Sequence, residues 1–368
     1  MSRVALVHDW LTGLRGGERV LQAICELYPQ ADLFTLVHVP GSCGPVIESR
    51  RITTSFLQRL PRAGRWYRHF LPLFPIAIES LDLRGYDLVI STSHAVAKGC
   101  RPAPGARHVS YVHTPMRYVW DQFDAYFGEG RAGLLTRFAA RAVAPYLRDW
   151  DVRSTSRAQG LIANSRFVAG RIQRFWGRAA DAVVYPPVET SRFVPSADGT
   201  GDYALIVSAL VPYKRVELAV SAFSRLKKPL LVAGDGPERE KLERAAGPSV
   251  RFLGSVAQEE LPGLYARARY FVLPGEEDFG IAPVEAQAAG RPVLALGRGG
   301  ALETVIEGET GTFFAEPTVE SLLEGISRIE RLQVDPTRVR THARRFDASR
   351  FAPQLSAAIE AVLTRPRQ

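Results

Sequence analysis

The sequence predicts an α/β protein built from two doubly wound parallel-sheet domains. At 368 residues the chain exceeds one ordinary hydrophobic core and fits two domains of common size. Short apolar β-type runs alternate with amphipathic helical patterns, which is typical of parallel sheets layered with helices. A segment rich in Pro, Gly and Ser, "YPPVETSRFVPSADGTG", separates two such series. We therefore expect two domains that face a cleft, with ligands at the carboxyl ends of the strands.

The elements follow in order along the chain. "RVALVH" predicts the first strand and leads into the helix pattern "GERVLQAICELY". Further strands of the first domain are predicted at "DLVIST", "HVSYVHT" and "GLIANS". The second series is "YALIVS", "PLLVAG", "VRFLG", "YFVLP" and "PVLAL". The tail from Phe346 to Leu363 predicts a final helix. We place the first domain at residues 1–188, the second at 189–345 and the C-terminal helix within 346–368.

Composition argues against several classes of protein. No apolar run reaches the roughly 18 to 20 residues of a membrane-spanning helix, and "MSRVALVHDW" lacks the apolar stretch of a signal peptide. We expect a cytoplasmic protein. Cys25, Cys43 and Cys100 are widely spaced, which indicates neither a disulfide framework nor a structural zinc site.

The net charge of +9 lies entirely in the first half of the chain. Residues 1–190 hold 24 Lys and Arg against 15 Asp and Glu, whereas residues 191–368 hold 23 of each. An arginine-rich half is suited to nucleic acid, an anionic membrane surface or a phosphorylated substrate. A generally basic proteome is the alternative explanation.

Basic residues follow the first strand of the second domain. In "SALVPYKRVELAV", Lys214 and Arg215 stand where a strand gives way to a helix. Cationic side chains at that place can meet phosphate oxygens, and arginine can do so with two hydrogen bonds. A solvated basic pair on a helix is the structural alternative.

Two glutamates flank a break in "FVLPGEEDFGIAPVEAQAAG". Gly280 and Pro283 predict a loop at Glu277 and a new helix carrying Glu285 in its first turn. The N–H groups of Gly280 and Ile281 can hold a phosphate at the positive end of that helix. Glu285 can then accept hydrogen bonds from ribose hydroxyls and Glu277 from sugar hydroxyls, although a first-turn acid often only complements the helix dipole.

The first domain supplies two weaker signals. Gly13, Gly16 and Gly17 after the first strand allow a ligand to approach the backbone at a helix start, or simply form a tight turn. In "SYVHTPMRYVWD", His113 ends a strand and precedes a group of polar and aromatic residues. A lone histidine is more often a packed residue, but this position favours a catalytic role.

Two other motifs favour structural roles. "VAGDGPERE" has Gly234 and Gly236 after a strand, but Arg239 occupies the third glycine position of a dinucleotide fingerprint, so we predict a tight turn. Asp149 and Asp151 have a D-x-D spacing but lie in a helical pattern away from a strand end. We predict no metal site there.

Together these motifs resemble the retaining glycosyltransferases of family 4, whose two Rossmann-like domains form the architecture called GT-B, over essentially the whole chain. The specific marks are the E-x7-E element of Glu277 and Glu285, "VPYKR", "VAGDGP", "GGALETV" and "YVHTPMRYVWD". The last motif and "EEDFGIAPVEAQAAG" look most like the bacterial mannosyltransferases of O-antigen and exopolysaccharide assembly. The resemblance implies a C-terminal helix that crosses back to the first domain.

The resemblance implies roles for the site residues. Glu285 would hold the nucleotide ribose, Glu277 and the backbone near Gly280 the donor sugar, and Lys214 and Arg215 the diphosphate. His113 would lie by the reactive face of the donor sugar, with Gly16 and Gly17 near the donor. Where many relatives carry an arginine in a "GR" element, this chain reads Ser208-Ala209, so one phosphate contact is expected to be missing.

The expected reaction moves a hexose, best matched by mannose from GDP-mannose, with no metal and no cofactor. The expected acceptor is a saccharide or a polyprenyl-diphosphate-linked saccharide bound by the first domain. "RLPRAGRWYRHFLPLF" interleaves arginines and aromatics, which suits peripheral contact with an anionic inner membrane face; solvated basicity explains it equally well. A sugar-nucleotide epimerase or a non-catalytic sensor on the same fold are the alternatives. No motif supports nucleic-acid binding.

Overall fold

The computed structural model describes residues 3–128, 133–196 and 199–365. The chain divides into two compact units. Unit 1 comprises Met1–Pro187 and Phe351–Gln368, and unit 2 comprises Val188–Arg350. The first division thus lies one residue before the boundary drawn from the sequence, and the second lies five residues after Phe346.

Unit 1 contains a parallel sheet in the strand order β3-β2-β1-β4-β5-β6-β7. Chain order reverses between β1 and its neighbour β4, so the sheet is doubly wound and has a switch point there. The strands are β1 (Val4–His8), β2 (Asp32–Thr35), β3 (Ile52–Thr54), β4 (Leu88–Ser93), β5 (Arg107–Val112), β6 (Gly160–Ala163) and β7 (Ala182–Val183).

Helices cover this sheet, and short 3-10 turns join several of them. The α-helices of the first part of the chain are α1 (Gly16–Leu27), α2 (Pro45–Glu48), α3 (Ala63–Trp66), α4 (Phe74–Glu79), α5 (Phe123–Phe127), α6 (Leu134–Arg153) and α7 (Arg166–Trp176).

Unit 2 contains a second parallel sheet in the order β10-β9-β8-β11-β12-β13. Its switch point lies between β8 and β11. The strands are β8 (Ala204–Val207), β9 (Leu230–Ala233), β10 (Val250–Gly254), β11 (Tyr270–Leu273), β12 (Val293–Leu296) and β13 (Gly311–Phe314). The remaining helices are α8 (Val216–Leu226), α9 (Arg239–Ala245), α10 (Leu261–Arg267), α11 (Ile281–Ala288), α12 (Ala301–Thr304), α13 (Val319–Arg331), α14 (Pro336–Ala343) and α15 (Ala348–Leu363).

The last helix, α15, returns the chain to the core of unit 1. Its apolar residues Phe351, Leu355, Ile359 and Val362 recur at helical spacing, and all four are buried in one cluster with Leu6 and other residues of the unit 1 sheet. Burying each such side chain stabilises the fold by about 1.5 to 3 kcal/mol. The prediction of a C-terminal helix that crosses back to the first domain is confirmed.

The nine strands predicted from apolar runs all form, and α1 covers the predicted helix "GERVLQAICELY". The sequence analysis missed β2, β3, β7 and β13, of which β3, β7 and β13 lie at sheet edges. Cys25, Cys43 and Cys100 are buried free thiols. Within the described residues, no helix combines the length and the apolar character needed to cross a membrane.

Candidate active site

The switch point of unit 2 brings together most of the predicted site residues. Lys214 and Arg215 follow β8, and Glu277 follows β11, the strand beside it. Parallel strands end at the same edge of a sheet, so these loops are neighbours although 62 residues separate Arg215 from Glu277. We call Lys214, Glu277, Gly280 and Glu285 the switch-point cluster.

An ion pair joins the two loops. The Lys214 ammonium group contacts the Glu277 carboxylate, and both side chains are mostly buried. Gly275 makes this approach possible, because a Cβ atom there would lie 2.7 Å from the carbonyl oxygen of Lys214. From the sequence, Lys214 was predicted to contact phosphate and Glu277 to contact sugar hydroxyls. Without a ligand, the two groups are paired with each other.

Arg215 is held by its own turn. It adopts a left-handed backbone conformation, with φ of 54°, between a 3-10 turn and the start of α8. Its Nε lies 2.8 Å from the Glu217 carboxylate, and its guanidinium donates to the carbonyl of Pro317 at 3.2 Å. An anion at this place would have to compete with the Glu217 carboxylate for Arg215.

The loop that carries Glu277 is fixed by the segment "GGALETV". The Gly300 N–H donates to the Glu277 carbonyl at 2.7 Å. A Cβ atom at Gly300 would lie 2.5 Å from the Cα of Phe279, so the loop after β12 packs backbone against backbone on the loop after β11. This segment therefore positions Glu277, a role that sequence analysis did not assign to it.

Helix α11 begins at Ile281, earlier than the sequence analysis placed it. Gly280 precedes it with φ of 89°, a conformation that favours glycine, and the first helical N–H groups, starting at Ile281, have no partner within the helix. The expectation that Glu285 lies in the first turn is wrong, because it is the fifth residue of α11 and lies in the second turn.

The Glu285 carboxylate is also less accessible to a ligand than the sequence predicts. Its side chain is buried, and one carboxylate oxygen accepts a hydrogen bond from the Tyr265 hydroxyl at 2.8 Å. The sequence predicts a Glu285 carboxylate that is free to accept hydrogen bonds from ribose hydroxyls. The structure instead gives a buried carboxylate that Tyr265 orients, since a buried charge requires such partners.

In unit 1, His113 directly follows β5 and is buried, as predicted for a strand end. Its Nε2 finds no hydrogen-bond partner among the described residues. Burial, and then the neighbouring His94 and His8, lower the pKa of His113 well below its ordinary value. Burial therefore favours the neutral imidazole.

The first turn of α1 faces the same histidine. A Cβ atom at Gly17 would lie 3.8 Å from His113 Nε2 and 3.8 Å from a ring carbon of His8, which is ordinary van der Waals contact, so the start of α1 packs beside both rings. Gly16 is the first residue of α1. The predicted helix start after the first strand is confirmed, and it lies next to His113.

A network of ionisable groups around His113 was missed by the sequence analysis. Asp9 accepts hydrogen bonds from the backbone N–H groups of residues 94, 95, 96 and 97 at 2.6 to 2.9 Å. It also lies 3.1 Å from His94 Nδ1. We call His8, Asp9, Glu18, His94 and His113 the histidine cluster. The signal for it was "HDW", two ionisable residues at the end of a buried strand.

The other half of the histidine cluster joins β1 to α1. His8 Nδ1 lies 2.6 Å from the Thr92 hydroxyl, and its Nε2 lies 3.8 Å from Glu18. Glu18 accepts from the Arg15 N–H at 3.0 Å, which fixes the start of α1. Burial alone would raise the pKa of Glu18, but His8 and then His94 lower it overall.

The two motifs predicted to be structural have structural partners. Asp151 forms a buried ion pair with Lys98 at 2.7 Å and accepts from the indoles of Trp120 and Trp176 at 2.7 Å each. Asp149 is exposed and pairs with Arg153 one helical turn away. A Cβ atom at Gly234 would lie 1.9 Å from the Ser208 carbonyl oxygen, so that glycine permits a close turn.

The arginine-rich segment at residues 59–74 is divided between surface and core. Arg59, Arg62, Arg65 and Arg68 are exposed, as is Trp66, whereas Tyr67 and Phe74 are buried in the core of unit 1. Two of the aromatics expected at a membrane interface are therefore core residues.

Comparison with known proteins decides the family. The sequence model described as "Glycosyltransferase Family 4" matches residues 14–192, and that described as "Glycosyl transferases group 1" matches residues 187–346. A GDP-mannose-dependent alpha-mannosyltransferase of Mycolicibacterium smegmatis is 30% identical over 294 residues, which covers 77% of this chain and 76% of that relative. The chain belongs to glycosyltransferase family 4.

Another relative of this family 4 chain is more similar over a shorter stretch. The GDP-mannose-dependent alpha-(1-6)-phosphatidylinositol monomannoside mannosyltransferase of Mycolicibacterium smegmatis is 33% identical over 204 residues. That match covers 47% of this chain and 53% of the relative, so the chain spans about half the length of that protein.

Solved structures agree on the family 4 fold. Sucrose-phosphate synthase from Thermosynechococcus elongatus matches with a TM-score of 0.70 at 20% identity and covers 99% of both chains. Anabaena HepE in complex with UDP and glucose matches with a TM-score of 0.69 at 18% identity, over 98% of this chain and 100% of that one. These likenesses support the GT-B fold predicted from the sequence.

Proposed function

We propose that this family 4 chain is a retaining hexosyltransferase that moves mannose from GDP-mannose onto a lipid-linked saccharide or polysaccharide precursor. The observation that carries the proposal is the Lys214 and Glu277 ion pair at the switch point of unit 2, beside the start of α11. A sugar diphosphate offers an anion for the lysine and hydroxyls for the glutamate, so one ligand can satisfy both groups.

Different residues hold the diphosphate, the sugar and the ribose of the donor. Lys214, with Arg215 beside it, neutralises the diphosphate, and the N–H groups at Gly280 and Ile281 add the positive end of the α11 dipole. Glu277, released from Lys214, accepts hydrogen bonds from the sugar hydroxyls. Glu285, oriented by Tyr265, accepts from the ribose hydroxyls.

The sugar and the base are proposed from the relatives. Two relatives cited above are named GDP-mannose-dependent mannosyltransferases, one of them matched over most of both chains. The resemblance of "YVHTPMRYVWD" and "EEDFGIAPVEAQAAG" to bacterial mannosyltransferases points the same way. GDP-mannose is therefore the first donor to test.

The proposed reaction depends on stabilising the negative charge that develops on the leaving diphosphate. The bond between the sugar C1 and the diphosphate oxygen breaks, and the leaving diphosphate gains negative charge that fixed cations and N–H dipoles stabilise. The acceptor oxygen attacks C1 from the face that the diphosphate leaves, and a phosphate oxygen takes the acceptor proton. This route retains the anomeric configuration, and we propose that it needs no metal and no cofactor.

His113 acts from unit 1. We propose that its Nε2, which has no hydrogen-bond partner among the described residues, binds a hydroxyl of the donor sugar. A neutral ring can exchange a hydrogen bond without placing a second positive charge near the reacting carbon. The start of α1 at Gly16 and Gly17 packs beside this ring.

The acceptor meets unit 1, which carries the excess of basic residues. The exposed arginines of residues 59–74 suit a polyprenyl-diphosphate-linked acceptor, so we propose that the enzyme works at the inner face of the cell membrane.

The test is a donor screen followed by product analysis. Thermal shift against GDP-mannose, UDP-glucose and UDP-N-acetylglucosamine identifies the donor, and transfer to a lipid-linked acceptor is followed by NMR of the anomeric proton. We expect GDP-mannose to stabilise the chain and the product to be an α-mannoside. Release of nucleotide with a changed sugar and no acceptor would indicate an epimerase, and an inverted product would contradict the proposed chemistry.

A further inference from the structure

The N-terminal half of α6 exposes large apolar side chains to solvent. Leu134, Leu135 and Phe138 have 79%, 87% and 75% of their surface exposed. Soluble proteins tolerate single exposed apolar residues, but a group of three on one helix marks an interaction surface. Tyr146, two turns farther along the helix, is also exposed.

These four side chains form one stripe opposite the core. At about 100° per residue, Leu134, Leu135, Phe138 and Tyr146 fall within an arc of roughly 120° on the helix circumference. The core-facing side carries Ala144, Leu147 and Trp150 instead, all of them buried. We call the stripe of four exposed residues the α6 face. Helix α6 is therefore apolar on two sides, and only one of them is covered by unit 1.

Arginines flank the α6 face, and the exposed Asp149, which lies on the same side of the helix beyond Tyr146, is paired with Arg153. Residues 133–148 contain Arg137, Arg141 and Arg148 and no acidic residue. Arg137 and Arg141 lie beside the stripe, and Arg141 is exposed. A helix with leucine and phenylalanine on one face and arginine on its flank is typical of segments that lie in the interface of an anionic bilayer.

Helix α6 packs on the same side of the sheet as the segment that carries the exposed arginines of residues 59–68. Leu147 and Trp150, on the buried side of α6, share a hydrophobic cluster with Tyr67, Phe74 and Ile78 of that segment and the helix after it. The Trp150 indole further donates to Glu79 at the end of α4 at 2.6 Å. Leu73 and Ile76, which follow those arginines, are exposed as well. Unit 1 thus combines these exposed apolar side chains with five exposed arginines, Arg59, Arg62, Arg65, Arg68 and Arg141.

We propose that the α6 face inserts into the surface of an anionic lipid bilayer and anchors unit 1 there. This deepens the proposed function, because it names the surface that brings the enzyme to a lipid-linked acceptor. A second copy of the chain is a poorer occupant. A two-fold symmetric contact through this face would bring the flanking arginines of the two copies together.

The test is binding to phosphatidylcholine vesicles with and without phosphatidylglycerol, measured by co-sedimentation of the full chain. We expect the wild-type chain to bind only the anionic vesicles, and less at high salt. The triple variant Leu134→Ser, Leu135→Ser, Phe138→Ser should bind at least about tenfold more weakly, since it loses the inserted apolar area. Arg141→Glu should also weaken binding.

The matched control is Leu226→Ser, which changes the exposed leucine at the end of α8 in unit 2. It should bind vesicles like the wild type. All variants change exposed positions, and unchanged melting temperatures would show that they fold. Wild-type binding by the triple variant, or no vesicle binding by the wild-type chain, would overturn the proposal. A solution dimer that the triple variant dissociates would overturn it in favour of a second copy.

The result is separable from the proposed function. Thermal shift with GDP reports on unit 2 and should be the same for the triple variant and the wild-type chain. Loss of vesicle binding with intact GDP binding would therefore support the α6 face, whereas a wild-type chain that binds vesicles but no sugar nucleotide would contradict only the proposed activity.

Discussion

The two units place ionisable residues at equivalent points of their sheets but treat them differently. In unit 1, the histidine cluster lies beside β1 and β4 and is buried: Asp9 holds four backbone N–H groups, and His113 is neutral. In unit 2, the switch-point cluster lies beside β8 and β11 and keeps a lysine and a glutamate paired across two loops. In unit 1 the carboxylates of the cluster have internal partners, although the Nε2 atoms of His8 and His113 have no hydrogen-bond partner among the described residues. In unit 2 two opposite charges are paired, and a ligand can separate them.

The difference suggests a division of labour. A polyanionic ligand can replace Glu277 as the partner of Lys214, because a diphosphate carries more negative charge than one carboxylate. Breaking the hydrogen bonds of the histidine cluster is more costly, since each buried polar group left without a partner costs about 1 to 3 kcal/mol of folding free energy. We therefore expect variants of the switch-point cluster to change donor use, and variants or conditions that break the contacts of Asp9 and Glu18 in unit 1 to change stability.

The largest effect is expected at Lys214. Lys214→Ala removes the cation next to the leaving diphosphate and should lower kcat/KM by about 100- to 1000-fold, as for other groups that stabilise developing charge. Steady-state kinetics with GDP-mannose measures it. Arg225→Ala, which removes an exposed ion pair with Glu320 in the same unit, is the control and should leave kcat/KM unchanged. A wild-type kcat/KM in the Lys214→Ala variant would contradict the assignment of donor binding to unit 2.

Glu277→Ala should distinguish contacts to the donor sugar from contacts to the nucleotide. We expect kcat to fall by roughly 10- to 100-fold, because the hydrogen bonds to the donor sugar are lost. The affinity for GDP, which has no sugar, should stay the same or increase, because Lys214 no longer has a competing carboxylate. Calorimetric titration with GDP and kinetics with GDP-mannose give the two numbers. A variant that binds GDP much more weakly would place Glu277 on the nucleotide instead.

Glu285→Gln should have a smaller effect. The amide oxygen can still accept from Tyr265, so the fold is kept, but the charge that strengthens hydrogen bonds to ribose is lost. We expect the Kd for GDP to rise by about tenfold, with kcat changed little. A Kd equal to that of the wild type, measured by the same titration, would remove Glu285 from the ribose site.

The smallest predicted effect is acid sensitivity of unit 1. Burial lowers the pKa of His108 to about 4, and burial also lowers the pKa of His94 and His113. The unfolded chain then binds more protons than the folded one below about pH 6.5, so stability falls as the pH drops through that window. His108 alone should cost roughly 1 kcal/mol at about pH 5.5.

Tryptophan fluorescence can detect this effect selectively. All tryptophans of the chain lie in unit 1: Trp10, Trp66, Trp120, Trp150 and Trp176. Unit 2 has one histidine with a lowered pKa, His342. In denaturant titrations at falling pH, the fluorescence transition should shift before hydrogen exchange of unit 2 peptides does. If unit 2 peptides lost hydrogen-exchange protection first, the prediction that unit 1 is the more acid-sensitive unit would be wrong.

The sequence predicted the fold well where strands were buried and apolar. The central strands of both sheets follow runs such as "RVALVH" and "YFVLP", whereas the missed strands β3 and β7 have three and two residues. Short edge strands contribute little apolar pattern, because one side of each lacks a neighbour.

For the site, the sequence predicted positions but not partners. Lys214, Glu277 and His113 lie at strand ends as expected, since motif and strand pattern together fix that placement. The partners depend on contacts between distant segments. Asp9 binds the backbone of residues 94–97, and Tyr265 orients Glu285 from the preceding helix α10. Such pairs carry no local signal, which is why the contact between Tyr265 and Glu285 was not predicted.

Hydrogen exchange of the full chain with and without GDP-mannose tests the central claim most directly. If unit 2 binds the donor through the switch-point cluster, protection should rise at residues 211–217 and 275–288, and Lys214→Ala should abolish the rise in both segments. Protection confined to unit 1, with the two segments of unit 2 unchanged at saturating GDP-mannose, would contradict the account.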